Sequence, residues 1–452
     1  MKRILSLLVM LTMIFTVLPA ARIFAAAPQD AHPTPEGYDD HDYQKLLAIL
    51  EYVDGNGMTN GEKINRNYDP DDPTTWSRVE MDGTLVGPTW TEGEDKKLAA
   101  FFYQAAYGDG YGYGYGFMRG DLDLSGCTEL ATLECYENEF SSINVSNCPK
   151  LNWFNCDNNI NAVIDFDDCP SLEFLCVSAT GITELDVSEL PMLKYLYCDF
   201  LQLTELDLSG NPALKELVCS YNQLTELDLS GHDELEFVDC SLNSLTKLDL
   251  DGCTALRTII CYVNQLPSLD VSCCSGLRTL MCNSNPITEL DLTNNPQIYN
   301  IDTRGTLLTD LDLSNNPLIP FGRIKAAGDG CIGLYLDQEE DVLFIALAAA
   351  NNGAAFKGWY DENGGLLTTS IYLVADGGSF GTVTAKFTGE EVIPGDANGD
   401  GIVDSSDALL LLRYAMGMIN IDPHFLEACD MNGDGSVSAD DALIVLRTVM
   451  GI

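Results

Sequence analysis

The sequence predicts a mainly β architecture: a solenoid with a 21-residue period, then a small β-rich module, then a pair of helices at the C-terminal end. Three observations predict it. The hydrophobic centre of a Leu-Asp-Leu-Ser motif recurs at Leu124, Val145, Phe166, Val187, Leu208, Leu229, Leu250, Val271, Leu292 and Leu313, always 21 residues apart. Such self-similarity marks stacked coils that cannot bury their apolar faces alone. Past Pro320 the period stops, and alternating stretches such as Val383-Thr-Ala385-Lys-Phe387 replace it. Finally, two matching stretches begin at Asp396 and Asp430, and each runs into an apolar segment of helical period.

Composition bounds the rest. A chain of 452 residues allows two to four domains. The net charge of −46 repels nucleic acid and anionic lipid, so neither a nucleic-acid partner nor membrane insertion is expected. Met1-Lys2-Arg3, an apolar run to Leu18 and Ala25-Ala26-Ala27 read as a secretory signal peptide over 1–27. The mature protein is therefore expected outside the cell.

Residues 28–119 read as an N-terminal cap. Tyr43, Leu46, Leu47, Leu50 and Val53 fall at helical spacing and predict a helix over 42–53. Asp54-Gly-Asn56-Gly is a turn, because Met58 and Thr59 stand where a cation loop needs a ligand and a glycine. The Gly/Tyr run at 107–116 is loop-like.

Residues 120–320 carry the repeat, as in Leu214-Lys-Glu-Leu217-Val-Cys219-Ser-Tyr-Asn222-Gln-Leu224-Thr-Glu-Leu227-Asp-Leu229. This unit resembles the leucine-rich repeats of bacterial surface proteins such as internalins. Each coil is expected to place one strand at L-x-x-L-x-C, parallel to its neighbours, with a shorter extended segment at Leu-Asp-Leu on the far side. The pattern also gives most of the sixteen cysteines a place. Cys135, Cys156, Cys198, Cys219, Cys240, Cys261 and Cys282 share one inward column, and Cys127, Cys148, Cys169, Cys253 and Cys274 share a second with Asn211, Asn295 and Asn316. A third column holds Asn138, Asn159, Asn222, Asn243, Asn264 and Asn285, where a buried amide can satisfy backbone groups of the neighbouring coil. Packing of this kind favours free buried thiols over disulfides. Cys176, Cys273, Cys331 and Cys429 lie off the columns. Cys273 and Cys274 are expected to point to opposite sides, and the lack of CxxC spacing argues against a cysteine metal site.

Residues flanking the second Leu of each strand face the concave surface. They give a band of aromatics, Trp153, Phe174, Tyr195 and Phe237, with Tyr136, Tyr197, Tyr221 and Tyr262 nearby. Such a band suits a protein or glycan ligand; the alternative is that the rings only stabilise the sheet as cross-strand pairs. Residues 321–390, with Phe356-Lys-Gly-Trp359-Tyr360, read as a small β-rich spacer module and linker.

The last segment, 391–452, carries the most chemistry. Its loops place Asp396, Asn398, Asp400, Ile402, Asp404 and Asp407, and Asp430, Asn432, Asp434, Ser436, Ser438 and Asp441, at loop positions 1, 3, 5, 7, 9 and 12, with Gly401 and Gly435 at position 6. Position 7 contributes its backbone carbonyl. These are hard oxygen donors in the order of an EF-hand calcium loop, so two calcium ions are expected. Position 12 is Asp rather than Glu, and no helix precedes the first loop. The duplicated loop-helix unit resembles a type I dockerin, a module that docks secreted proteins onto cohesin domains of a scaffold protein, as in cellulosomes. The resemblance implies a cohesin-facing set of Ser405, Ser406 and Arg413 in the first half, and Ala439, Asp440 and Arg447 in the second.

Catalytic motifs are missing. The four histidines are scattered at His32, His41, His232 and His424, and no GxSxG, HExxH or phosphate loop occurs. The leading expectation is a non-catalytic binding subunit of a cohesin–dockerin assembly linked to polysaccharide degradation. A cell-surface adhesin anchored through the dockerin, and a polysaccharide hydrolase with an unrecognised site, are the alternatives.

Overall fold

The structure, a computed structural model, describes residues 32–55, 57–79, 85–103, 117–328, 330–337, 343–351, 354–375, 379–387, 394–395, 397, 403, 405–416 and 429–450. The proposed signal peptide, the run 107–116 and His424 lie outside the described residues. The chain divides into two compact units after Ile182.

In the first unit, helix α1 (Asp40–Leu50) starts at Asp39, whose side chain accepts the Asp42 amide. That cap moves the helix two residues ahead of the apolar pattern, and Glu51 ends it. Its buried face carries Tyr43, Leu46, Leu47 and Leu50, with Tyr43 stacked on Trp76 at 4.8 Å. A short helix α2 (Asn60–Ile64) follows, closed by a reciprocal Thr59/Glu62 capping box. Strands Arg78–Val79, Leu85–Trp90 and Leu98–Phe102 pair antiparallel. Leu98–Phe102 then lies parallel to Thr132–Glu134, with Ala100 opposite Thr132, so the cap supplies the sheet edge on which the coils stack. Trp153–Asn155 and Phe174–Cys176 continue the ladder. On the far side Arg119–Asp123, Glu139–Asn144 and Val163–Asp165 form a second parallel sheet.

The second unit repeats the plan. Tyr195–Tyr197, Glu216–Val218, Phe237–Asp239, Thr258–Ile260, Thr279–Met281 and Asn300–Asp302 pair in parallel, each residue opposite its equivalent in the next coil. The stretch expected to be a spacer instead closes the end of this stack. Gly330–Asp337 adds antiparallel beside Asn300–Asp302, and Phe321–Ala327 adds antiparallel beside Asp310–Asp312. An open solenoid end exposes both an apolar coil and unpaired backbone, and these strands cover both. Phe321 and Trp359 are fully buried within this closure.

The columns pack as the repeat requires. Leu196, Leu217, Val238, Ile259, Leu280 and Ile301 are 0 % exposed, as are all seven thiols of the first cysteine column. The Asn column bridges three chain segments at once. Asn264 donates to the Cys240 and Cys261 carbonyls at 3.0 and 3.1 Å and accepts the Leu245 amide at 2.9 Å. In the second column Cys, Asn and His are interchangeable because each places a polar atom at the carbonyl 24 residues earlier: Cys253 and Asn211 donate to Leu229 and Val187, and His232 Nε2 lies 3.2 Å from the Leu208 oxygen. A non-glycine residue recurs with a left-handed backbone at 21-residue intervals, at Glu137, Asn158, Ala179, Phe200, Tyr221, Leu242, Val263 and Ser284.

None of the sixteen cysteines is joined in a disulfide, and all but Cys273 are buried. The expectation for Cys273 and Cys274 is corrected: their sulfurs lie 3.5 Å apart, on the same side. Alternation of side chains holds for strands, whereas Cys273 sits in a turn. Its thiol takes the Leu250 carbonyl, the bond that the column would give to Cys274.

Candidate functional site

The loop from Asp430 to Asp441 folds around its own carboxylates. Asp441 is 0 % exposed; one oxygen accepts the Met431 and Asn432 amides at 2.8 and 3.2 Å, and the other accepts the Ser438 amide and hydroxyl at 2.8 and 3.0 Å. Asp430 accepts the Asp434 and Gly435 amides at 3.1 and 2.8 Å. Gly433 and Gly435, with φ of 70° and 86°, turn the chain between these oxygens. Burial opposes ionisation of Asp441, but the Ser438 donors and the Asn432 and Met431 amides outweigh it and hold the carboxyl below its ordinary value. At Asp434, hydrogen bonds from Ser436 and Asn432 act in the same direction. The result is a fixed set of hard oxygens, suited to calcium rather than to a soft metal.

In the first half Asp407 is buried and accepts the Ala397 amide at 2.9 Å, the counterpart of the Asp441 bond to Met431. Asp396, Asn398, Asp400, Ile402 and Asp404 lie outside the described residues. Helices α3 (Ser405–Ala415) and α4 (Ala439–Met450) follow their loops and enclose a small core of Ala408, Leu411, Cys429, Ala442 and Val445. Cys429 therefore has a packing role of its own. Ser405, Arg413, Ala439, Asp440 and Arg447 are exposed, and Ser406 stands beside Ser405 at the start of α3. Exposed Leu409 and Leu412 on α3, and Leu443 on α4, share these helices. Sequence reading missed them, although their spacing from Ser405 and Ala439 was a usable signal.

The aromatic band is more self-covered than expected. In the first unit Trp153 is 37 % exposed and stacks on Phe174 at 3.8 Å, nearly parallel. Tyr136 and Phe174 are half-buried. In the second unit Tyr195, Tyr197, Tyr221, Phe237 and Tyr262 are all half-buried, because coils this close press each ring onto its neighbour. Tyr197 donates to Glu216 at 2.8 Å, and Tyr221 stacks on Phe200 at 4.2 Å. Phe200 was absent from the expected band, although it stands one period before Tyr221. A separate cavity of about 290 Å³ in this unit is lined by Lys247, Asp249, Asp251, Asp270 and Cys273.

Residues 394–450 match the family described as Dockerin type I domain. No curated protein matches the chain. Among solved structures, the functional domain of InlJ from Listeria monocytogenes, which includes a cysteine ladder, is 22% identical over 59% of this chain and 90% of that one, with a TM-score of 0.32. The leucine-rich repeat domain of APL1B is 16% identical over 41% of this chain and 60% of that one, at TM-score 0.35. YopM from Yersinia enterocolitica is 20% identical over 41% and 55%, at TM-score 0.29. The chain thus joins a β-solenoid of 21-residue period to a C-terminal segment that matches the dockerin type I domain, a calcium-binding module type.

Proposed function

We propose that this protein is an extracellular, non-catalytic binding subunit. Its dockerin holds it, in a calcium-dependent way, to a cohesin of a scaffold assembly linked to polysaccharide degradation, while the solenoid engages a protein or glycan. The match over 394–450 carries this reading, since a dockerin implies a cohesin-binding module. The loop geometry supports two calcium ions: Asp407 and Asp441 make equivalent amide contacts, and the oxygens of 430–441 are already gathered. The matched fold is a binding fold, and no enzyme family is matched. Among the described residues no helix is long and apolar enough to cross a membrane. Trp153, exposed and stacked, is the strongest anchor for a ligand on the solenoid.

The test is a screen of the full calcium-loaded chain against glycans and scaffold-associated proteins, repeated with Trp153→Ala and Tyr195→Ala. Weaker binding with unchanged unfolding supports a ligand face. Equal loss of stability and binding means that the rings serve packing only. Reducing-sugar release from plant polysaccharides would replace the proposal with a hydrolase.

A further inference from the structure

The start of the second column differs from the rest of it. Cys148, Cys169 and Cys253 each donate to a main-chain carbonyl of the preceding coil, at 3.2, 3.1 and 3.0 Å. Cys127 stands in the first coil, where helix α1 takes the place of a preceding one. There the thiol meets the Asp42 carboxylate and the His41 imidazole, and one donor atom from each lies within 4.8 Å of the others.

Three features go beyond end-capping. First, Asp42 is a carboxylate 2 % exposed, and the described residues give it no lysine or arginine partner. Its oxygens accept the Leu98 amide at 2.9 Å, face His41 Nδ1 at 3.0 Å and take a hydrogen bond from the Cys127 thiol. Lys45 is nearby but is committed to Asp123 and Ser125 at 2.5 and 2.8 Å. Burying an anion without a cation is costly. Second, the imidazole has been given room: a Cβ on Gly126, whose φ is +75°, would sit 3.3 Å from His41 Nε2. Third, the donors are one sulfur, one nitrogen and one oxygen, with His41 still open to solvent. That set is wrong for calcium and right for a borderline ion such as zinc, with water completing a tetrahedron. No CxxC spacing marks the set, because its residues are brought together from positions 41, 42 and 127.

We propose that His41, Asp42 and Cys127 form a zinc site that fastens helix α1 to the first coil. A divalent ion there neutralises the buried carboxylate and a thiolate together, and it ties the cap to the repeat through three side chains.

The experiment titrates the full, reduced, calcium-saturated chain with cobalt(II) alone and then adds zinc. One equivalent of cobalt should produce a thiolate-to-cobalt charge-transfer band that zinc abolishes. Cys127→Ser should remove the band. His41→Ala, at an exposed residue that leaves the fold intact by circular dichroism, should weaken cobalt binding by at least about tenfold. Cys273→Ser should leave the band unchanged. The proposal is overturned if the parent gives no band, if His41→Ala binds as the parent does, or if the band follows Cys273 instead. Should Cys127→Ser misfold, His41→Ala and Cys273→Ser decide between them.

Discussion

Removing one rung of the asparagine ladder is a direct probe of how the solenoid holds together. Asn264 is 8 % exposed, and its amide joins the Cys240 carbonyl, the Cys261 carbonyl and the Leu245 amide. Asn264→Ala leaves the Leu245 amide without a partner, whereas the Cys240 and Cys261 carbonyls keep the amides of Asn243 and Asn285 at 3.1 and 2.9 Å. The orphaned amide costs about 1–3 kcal/mol and each carbonyl bond lost beside a surviving one about 0.5 kcal/mol, so the loss is about 2–4 kcal/mol. The chain supplies its own control. Thr180 and Thr306 occupy the same column and each makes one bond, to Val177 and Thr303 at 2.7 and 2.8 Å. Asn264→Thr should therefore keep the Cys261 carbonyl contact, still orphan the Leu245 amide, and lose less than Ala, about 1–3 kcal/mol. Urea unfolding followed by circular dichroism in calcium reads both, as shifts of the transition midpoint. A loss below about 1 kcal/mol for Ala, or equal losses for Ala and Thr, would show that the ladder does not bind coil to coil.

Three further outcomes follow from particular residues. Denatured, unreduced protein should react with a thiol reagent at all sixteen cysteines, and native protein should react first at Cys273, the one thiol that is not buried; a handful of reactive thiols after denaturation would mean that the columns are oxidised. The two halves of the dockerin differ at the docking positions, Ser405-Ser406 against Ala439-Asp440, so one orientation on a cohesin should dominate, through the serine pair whose hydroxyls adapt their hydrogen bonds. Bulky replacements at Ser405 and Ser406 should then cost more affinity than at Ala439 and Asp440, and comparable losses would refute it. The Asp228 carboxyl is held below its ordinary value by the Ser230 amide and then by the Ser230 hydroxyl. Its folded pKa lies below the unfolded one, so its contribution is present at neutral pH and is lost as pH falls below about 3.9. The stability gap between parent and Asp228→Ala should narrow on acidification; a gap that widens would reverse the sign.

What the sequence made legible was what the repeat imposes on every coil alike. Because each coil packs only on its neighbours, a residue such as Cys219 or Asn222 meets the same surroundings as its equivalent one period away, so period alone predicts its burial. The calcium-type loop was legible for a related reason: its donors are local, and Asp441 reaches back to amides of its own loop. Where the period breaks, that reasoning fails. Nothing near Leu98–Phe102 announces that it will pair with Thr132–Glu134, nor that Gly330–Asp337 will turn back beside Asn300–Asp302. Strand alternation was carried too far at Cys273, which sits in a turn. Trp153, Phe174, Tyr195 and Phe237 each open a strand, but the exposure of the aromatic band was overestimated, since stacking such as Trp153 on Phe174 covers one ring with the next. His41 and Cys127 came together only through the docking of α1, which no spacing rule encodes.

The central claim is that the C-terminal loops attach this protein to a partner through calcium. It is tested most directly by capturing the full chain on a panel of immobilised cohesins, with calcium and then with chelator, beside a variant carrying Asp430→Ala and Asp434→Ala. The account predicts retention on at least one cohesin in calcium, release by chelator, and weakened capture of the variant, because the loop loses two carboxylates that anchor its turn. Failure of every cohesin to retain the calcium-loaded chain, or retention that chelator and the variant leave unchanged, would contradict it.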